Sequence, residues 1–263
     1  MTRSTVSVVR MFRLVFSVGV AALIGSLAVP TAASTISLNT PTGLNPGDRF
    51  RIAFVTGATT TGSSSDITSY NLFVNTAAGG ATYNGSAVTF YAIGSTATVN
   101  AYDNIHSTTM NDPVYLAGGA LVAPSITGAN GLWSGALVNR IATDIDGTVV
   151  SPDGGGNDTR VFTGTRVDGT ASSTPLGYYQ PGSFLTPGGF VASLGQATGY
   201  TDAAWIRNGS GSNANLSRSL YGISETLTVA SPSSVPEIDP AGMGSVLALV
   251  TGALGLLERR RRR

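Results

Sequence analysis

The sequence has 263 residues, with no cysteine and no lysine, and a formal net charge of +1. The absence of cysteine excludes a disulfide scaffold and a thiolate metal site. Residues 34–231 carry seven arginines against ten aspartates and one glutamate, a net charge of −4, so the positive charge comes from the two ends. An acidic body argues against nucleic acid as a partner, because binding to phosphates depends on clustered basic charge.

Residues 1–33 have the layout of an export signal. Three arginines among the first thirteen residues precede an apolar segment at 14–29, and small residues follow it. This order of basic region, apolar region and small-residue site is typical of a secretory signal peptide. We therefore predict cleavage by signal peptidase after Ala33, which leaves residues 34–231 as one extracellular domain.

The first predicted element of this body is a strand at residues 49–56. Phe50, Ile52 and Phe54 alternate there with smaller or charged residues, as in a strand with one buried face. Later apolar segments between turn residues predict further short strands, at 88–93, 114–116, 121–122, 137–141, 161–163 and 220–229. We expect the last of these to pair with residues 35–38 or 49–56, which brings the two ends of the body together.

One helix is predicted, at about residues 65–78. Ser64 or Ser65 is the expected N-cap, Asp66 lies in the first turn, and Gly79 ends the segment. The apolar residues that recur at helical spacing are Ile67, Tyr70, Val74 and Ala77. We expect the first three of them to pack into the core. Glycine-rich stretches at 153–158 and 209–215 are predicted to be loops on composition.

The C-terminal segment 235–263 combines a short Pro/Glu motif, an apolar run and five terminal arginines. The motif consists of Val235, Pro236 and Glu237. Residues 241–257 carry no charge, and these seventeen residues just reach the length of roughly 17 to 25 that a transmembrane helix needs. By the positive-inside rule the arginines stay in the cytoplasm and everything upstream lies outside.

This tripartite layout resembles the PEP-CTERM signal of bacterial surface proteins, whose tail is processed near the motif by a membrane-embedded exosortase. Ile238 stands where a second proline is usual, and that proline arrives only at Pro240, which leaves the cleavage point open. The resemblance implies an exported protein of the cell envelope or extracellular matrix, anchored at least transiently by its C-terminus. Residues 232–234 would be the linker to the sorting signal. A permanent C-terminal anchor that is not cleaved is the alternative.

The order of motifs in the body provides a second resemblance. It runs through FRIAFVTGATT, SSSDITSYNLFVN, FYAIGSTATVNAYDN, DPVYLAGGALVA, GLWSGAL and RVFTGTRVDGT to Trp205 and LYGISETLTV. This order resembles an uncharacterised family of bacterial surface domains that is similar to C-type-lectin-like domains. The resemblance implies an α+β fold with mostly short antiparallel strands, one or two helices, and long loops in which ligands bind. A glycine-rich all-β sandwich is the alternative.

Carboxylate and amide oxygens, which are the ligands that Ca²⁺ prefers, cluster in glycine-rich loops of the sequence. Calcium-dependent C-type lectins use an EPN or QPD tripeptide, and this chain has Gln180, Pro181 and Gly182 instead, so sugar binding by that route is not expected. The candidate ligands of a structural calcium site are Asp144, Asp146, Asp153, Asn157 and Asp158. Because Asp, Asn and Gly are also ordinary turn residues, we favour a protein without a cofactor.

No catalytic motif is present in the sequence. His106 is the single histidine, with Asp103 and Ser107 nearby, but triad residues are brought together by folding rather than by sequence adjacency. We interpret it as a surface histidine. The body has one glutamate, Glu225, in a predicted strand. A secreted hydrolase acting on polysaccharide through two aspartates is the alternative, since such a pair needs no fixed sequence spacing.

The aromatic residues divide into those expected in the core and those expected at the surface. Trp133 and Trp205 are expected in the core, whereas Tyr178 and Tyr179, between a glycine and a proline-containing turn, are expected to be exposed. We therefore predict a non-enzymatic, exosortase-sorted bacterial surface or matrix protein. Its expected role is structural or adhesive, within exopolysaccharide or at the cell envelope.

Overall fold

The computed structural model describes residues 35–106, 111–150, 160–181, 189–209 and 211–231, together with position 260. All of them belong to the unit Ser34–Arg263. The predicted signal peptide, the sorting motif and the predicted transmembrane segment 241–257 lie outside the described residues. Among the residues that are described, no helix is both long enough and apolar enough to span a bilayer.

Most regular elements of the described chain are strands and few are helices, so the fold is β-rich. Its helices are α1 (Ile67–Ala77) and α2 (Ala101–Asn104), and single 3-10 turns occur at Leu132–Ser134 and Ala203–Trp205. Its strands are β1 (Arg49–Val55), β2 (Thr60–Thr61), β3 (Thr82–Tyr83), β4 (Ser86–Ala87), β5 (Phe90–Ala92), β6 (Val114–Leu116), β7 (Leu121–Ala123), β8 (Arg160–Phe162), β9 (Tyr178–Tyr179), β10 (Phe190–Ala192), β11 (Leu194–Gln196), β12 (Ser212–Asn213), β13 (Ser217–Arg218), β14 (Tyr221–Ser224) and β15 (Leu227–Thr228).

The main sheet has six strands, in the order β5-β14-β1-β6-β7, with β15 also paired to β1. Both β14 and β15 run antiparallel to β1, with Ala53 opposite Ile223 and Arg49 opposite Thr228. The prediction that the terminal strand pairs with residues 49–56 is therefore confirmed. On its other side β1 pairs with β6 in parallel, so the sheet is mixed rather than wholly antiparallel.

Strand β1 is buried on both faces. Phe50, Ile52 and Phe54 pack with α1 in one apolar cluster, while Ala53 and Val55 belong to a second cluster on the opposite face. The prediction of one buried face is wrong, because layers of structure cover both sides of the sheet. Burial of apolar side chains on both faces of this central strand stabilises the fold.

The middle of β1 carries a buried arginine. Arg51 is 0% exposed; its Nε donates to the Ser224 carbonyl at 2.6 Å, and its Nη1 donates to the Ile105 carbonyl at 2.6 Å. Burial lowers the pKa of Arg51 to about 10, an effect that the nearby charge of Asp112 partly opposes. The side chain thus ties β1 to the end of β14 and to the end of α2.

Helix α1 begins one or two residues later than the sequence predicted. The N-cap is Asp66, whose carboxylate accepts from the Thr68 N–H at 2.9 Å, so the predicted cap at Ser64 or Ser65 is wrong. Ser64 instead supports the cap, because its hydroxyl accepts from the Asp66 N–H at 3.1 Å. Gly79 adopts a φ of +60° after the helix, as the predicted stop requires.

The buried face of α1 follows the prediction at three positions. Ile67, Tyr70 and Val74 are buried against the sheet, as expected from their spacing. The next buried residue is Ala78 rather than Ala77. Ala78 follows Val74 by four residues and so lies on the same face.

Most predicted strands exist, and two predictions failed. The strands expected at 88–93, 114–116, 121–122, 161–163 and 220–229 correspond to β5, β6, β7, β8 and the β14–β15 pair. Residues 137–141 form no strand. They lie beside β7 through hydrogen bonds from the Val138 N–H to the Val122 carbonyl and from the Asn139 side-chain amide to the Leu121 carbonyl. Residues 209–215 were predicted to be loop but include β12, which pairs with β10 through Val191 and Asn213.

Four smaller sheets complete the described body. They are the three-stranded sheet β12-β10-β9 and the pairs β11-β8, β13-β2 and β3-β4. Only Ser193 separates β10 from β11, so one continuous segment contributes to two of these sheets. Short strands therefore lie side by side with irregular connections in the described residues between 160 and 218.

Candidate functional site

Two arginines are brought together where β8 meets the chain after β13. An isolated parallel bridge joins Val161 to Ser219, and the Phe162 N–H donates to the Ser219 carbonyl at 3.1 Å. Arg160 and Arg218 each precede one member of this bridge by a single residue. Because side chains alternate along strands, the two arginines lie on the same face of the pair.

A cavity of about 390 Å³ opens at this face. Its lining consists of Arg160, Leu194, Asn208, Gly209, Gly211, Ser212, Asn213, Leu216 and Arg218. We call it the Arg160/Arg218 cavity. Its volume falls within the range of roughly 300–1,000 Å³ that is usual for small-molecule sites.

The two arginines differ in how firmly they are held. Arg218 is only 9% exposed, and its guanidinium carbon lies 6.0 Å from the centre of the Phe162 ring. A cation at that distance is attracted by the face of an aromatic ring. Arg160 is exposed at the start of β8. The cavity is therefore lined by one buried and one exposed arginine.

The remaining wall of the cavity is polar with an apolar edge. Asn208 follows the 3-10 turn Ala203–Trp205, and its side-chain amide donates to the Gln196 side-chain oxygen. Ser212 and Asn213 are supplied by β12, which is held in place by β10. Leu216 is 49% exposed and provides an apolar surface at the rim. Hydrogen-bonding groups and an apolar surface are therefore presented together.

The predicted exposed tyrosines lie on the same small sheet as β12. Tyr178 and Tyr179 form β9, which pairs with β10 on the side opposite β12, and they are 38% and 54% exposed. The Tyr179 ring packs edge-on against Phe190 at 5.4 Å, which fixes its orientation. The exposure predicted for both tyrosines is confirmed.

Asp144 and Asp146, two of the five calcium candidates, are brought together in a turn. The Thr148 N–H donates to Oδ1 of both carboxyl groups, at 2.8 Å and 2.9 Å, and the two carboxyl groups are hydrogen-bonded to each other. Burial, reinforced by this contact, raises the pKa of Asp144 to about 6, whereas the hydrogen bond from Asp144 lowers the pKa of Asp146 to about 2.

Two carboxylates supply fewer oxygen ligands than the six to eight that Ca²⁺ takes. Asp153, Asn157 and Asp158 lie outside the described residues, and the described part of the chain contains no cluster of three metal-ligating side chains. The calcium interpretation therefore stays a prediction. The raised pKa of Asp144 beside the lowered pKa of Asp146 indicates that the pair shares one proton.

The shared proton gives the pair a pH signature. The folded pKa of Asp144, about 6, lies above the unfolded value of 3.8, so the folded state binds more protons between these pH values and stability falls as pH rises through them. In Asp144→Asn the amide donates to Asp146 at every pH. We expect the thermal midpoint of Asp144→Asn, measured relative to the wild type, to be higher at pH 7 than at pH 4.5.

Asp168→Asn is the matched control for this measurement. The hydrogen bond from the Thr170 hydroxyl lowers the pKa of Asp168, so its contribution to stability is fully present above pH 3.8. The midpoint difference between Asp168→Asn and the wild type should be the same at pH 4.5 and pH 7. An equally constant difference for Asp144→Asn would show that the carboxyl pair shares no proton.

The other singled-out residues are dispersed. His106 is exposed, with its ring edge-on to Tyr91 at 5.0 Å, as expected for a surface histidine; Ser107 lies outside the described residues. Glu225 lies between β14 and β15, where its carboxylate accepts from the Thr89 N–H at 2.9 Å. Trp205 is buried as predicted, and Trp133 is partly buried and stacks on it at 6.3 Å.

No protein-family model matches the chain, and a search of curated proteins returned no significant match. The candidate site therefore rests on the geometry of this molecule. Sequence reasoning missed the Arg160/Arg218 cavity, because its two arginines are brought together by a bridge between distant segments. The one available signal was that two arginines each precede a short apolar strand in an otherwise weakly charged body.

Proposed function

We propose that this chain is an exported bacterial surface or extracellular-matrix protein with an adhesive or structural role. Signal peptidase would remove residues 1–33, and an exosortase would process the chain near Val235, Pro236 and Glu237. The layout of the tail, with its motif, apolar run and five arginines, is the observation that carries the proposal.

The end of the body is compatible with such processing. The last strand, β15, ends at Thr228, and the following Val229 N–H donates to the Asp48 carbonyl at 2.9 Å. In return, the Gly47 N–H donates to the Val229 carbonyl. Cleavage within the sorting motif therefore removes none of the strands that the structure describes.

A C-type-lectin-like fold is part of the proposal. Features that favour it are the pairing of the terminal strands with β1, the packing of α1 on that strand, and the short strands described between residues 160 and 218. The all-β sandwich is disfavoured because α1 contributes three buried residues to the main apolar cluster.

A binding role is favoured over hydrolysis. The Asp144–Asp146 pair has the split pKa values of an acid–base pair, but glycosidase carboxyl groups are separated by about 5 to 10 Å, and these two are in direct hydrogen-bond contact. The exposed tyrosines of β9 and the Arg160/Arg218 cavity instead offer surfaces for stacking and polar contacts with a glycan.

The sorting proposal predicts the mass of the mature protein. We expect the chain isolated from its native cells to begin after residue 33 and to end within 235–240, alone or attached to another molecule. Intact mass measurement with identification of the C-terminal peptide tests this directly. A mature chain that still carries Arg263 would show a permanent anchor and contradict exosortase processing.

A pair of variants sharpens the test. Glu237→Gln removes one charge from the motif, and Asp239→Asn removes the same charge two residues later. We expect Glu237→Gln to retain the C-terminal peptide and Asp239→Asn to lose it as the wild type does. Equal processing of both variants would show that the motif does not direct cleavage.

A further inference from the structure

We propose that the Arg160/Arg218 cavity binds a carboxylate-bearing sugar residue of an acidic polysaccharide. The inference deepens the proposed function and rests on it for the source of the ligand, which is the polysaccharide outside the cell. The residues that would contact the sugar are those that line the cavity.

The charged part of that chemistry is the pair of guanidinium groups. Arg160 and Arg218 occupy neighbouring positions on two parallel segments and line one wall of the same cavity. Guanidinium groups are planar and match the two oxygens of a carboxylate in a bidentate pair. Arg218 is packed over Phe162, so less side-chain entropy is lost when it binds an anion.

The uncharged part of the cavity suits a sugar ring. Asn213 and Asn208 offer carboxamide groups, and Ser212 offers a hydroxyl group. Such groups both donate and accept, as sugar hydroxyls do. Leu216, 49% exposed at the rim, offers an apolar surface to the C–H groups of the ring. The combination recognises a molecule that carries hydroxyl groups, an apolar face and one negative charge.

An acidic glycan fits this body better than a nucleic acid does. Nucleic-acid binding relies on many basic side chains spread along a phosphate backbone. Residues 34–231 carry a net charge of −4, and the cavity concentrates two of their seven arginines at one place. A concentrated pair suits one carboxylate at a time, whereas a phosphodiester backbone needs basic side chains spread along its length.

Binding is tested with the purified full chain in mild detergent and two probes that differ in whether the carboxylates are ionised or esterified. The first probe is an oligogalacturonate, and the second is the same oligosaccharide with its carboxylates methyl-esterified. Titration calorimetry should show binding of the oligogalacturonate and at least about tenfold weaker binding of the ester, because hydrogen bonds to charged groups are lost. Equal affinities for both probes, or no binding of either, would overturn the proposal.

Matched arginine variants locate the binding site. Arg160→Gln should weaken oligogalacturonate binding about tenfold or more, whereas Arg140→Gln, which removes the same charge from another exposed position, should leave it unchanged. Arg160 is the primary position because it is exposed; Arg218→Gln alters a buried side chain and is interpreted only if its thermal midpoint matches that of the wild type. Equal losses in Arg160→Gln and Arg140→Gln would place binding elsewhere.

A third probe separates a glycan site from a general anion site. An oligothymidylate of the same charge should bind at least about tenfold more weakly than the oligogalacturonate, and comparable binding would show a general anion site. Failure of the mature-mass test would withdraw the sorting proposal while leaving these affinities valid. Failure of the affinity tests would withdraw the glycan site while leaving the sorting proposal intact.

Discussion

Replacing Arg51 with alanine is expected to lower the free energy of unfolding by about 3 kcal/mol or more. The substitution removes the donors to the buried Ser224 and Ile105 carbonyl groups, and each unsatisfied carbonyl costs about 1–3 kcal/mol. It also leaves a cavity in the centre of the main sheet. Relief of the desolvated charge opposes these losses, as the lowered pKa of Arg51 indicates, but it does not restore the donors.

Urea unfolding of three variants separates these effects. Arg51→Met keeps most of the side-chain volume but supplies no donor. Its free energy of unfolding should therefore lie between those of the wild type and Arg51→Ala. Arg49→Ala is the control, because the Arg49 side chain is 48% exposed and its ion pair to Asp112, at 3.3 Å, should contribute about 1 kcal/mol or less. Equal losses in Arg49→Ala and Arg51→Ala would show that Arg51 does not organise the sheet.

The burial of Arg51 could not be predicted from the sequence. Alternation in residues 49–55 correctly predicted the strand, but it could not reveal that a second apolar layer covers the face that carries Arg51. A charged residue at an alternating position is ordinarily exposed, and only tertiary packing overrides that expectation. The helix was predictable because its period of about 3.6 residues is a local property that Ile67, Tyr70 and Val74 display.

The candidate site was not predictable for a related reason. Val161 and Ser219 pair across a long stretch of chain, and the register of such a pairing depends on packing that the local pattern does not encode. Two-residue strands such as β12 and β13 are too short to show alternation. The exposed Tyr178 and Tyr179 were predictable because the turn residues that flank them are a local signal.

Gly177→Ala is expected to destabilise the protein by about 3–5 kcal/mol, which would leave little of the usual folding free energy. Gly177 has a φ of +72°, and a Cβ atom there would lie 2.4 Å from the Ser64 carbonyl oxygen and 2.5 Å from the backbone of Ser65. Backbone atoms cannot move aside as a flexible side chain can. The Gly177 N–H also donates to the Gly62 carbonyl at 2.8 Å, so the clash would break this contact.

Gly80→Ala separates the clash from the backbone strain. Gly80 has nearly the same φ, +71°, but no atom lies within 4 Å of the place its Cβ would occupy. Its replacement should therefore cost only the left-handed strain of about 1–2 kcal/mol. Gly177 contacts the segment before α1 and directly precedes the tyrosines of β9. Gly177→Ala should therefore also speed hydrogen exchange at the Tyr178 and Tyr179 amides. Equal unfolding free energies and exchange rates in the two variants would show that this close approach does not hold the loop region.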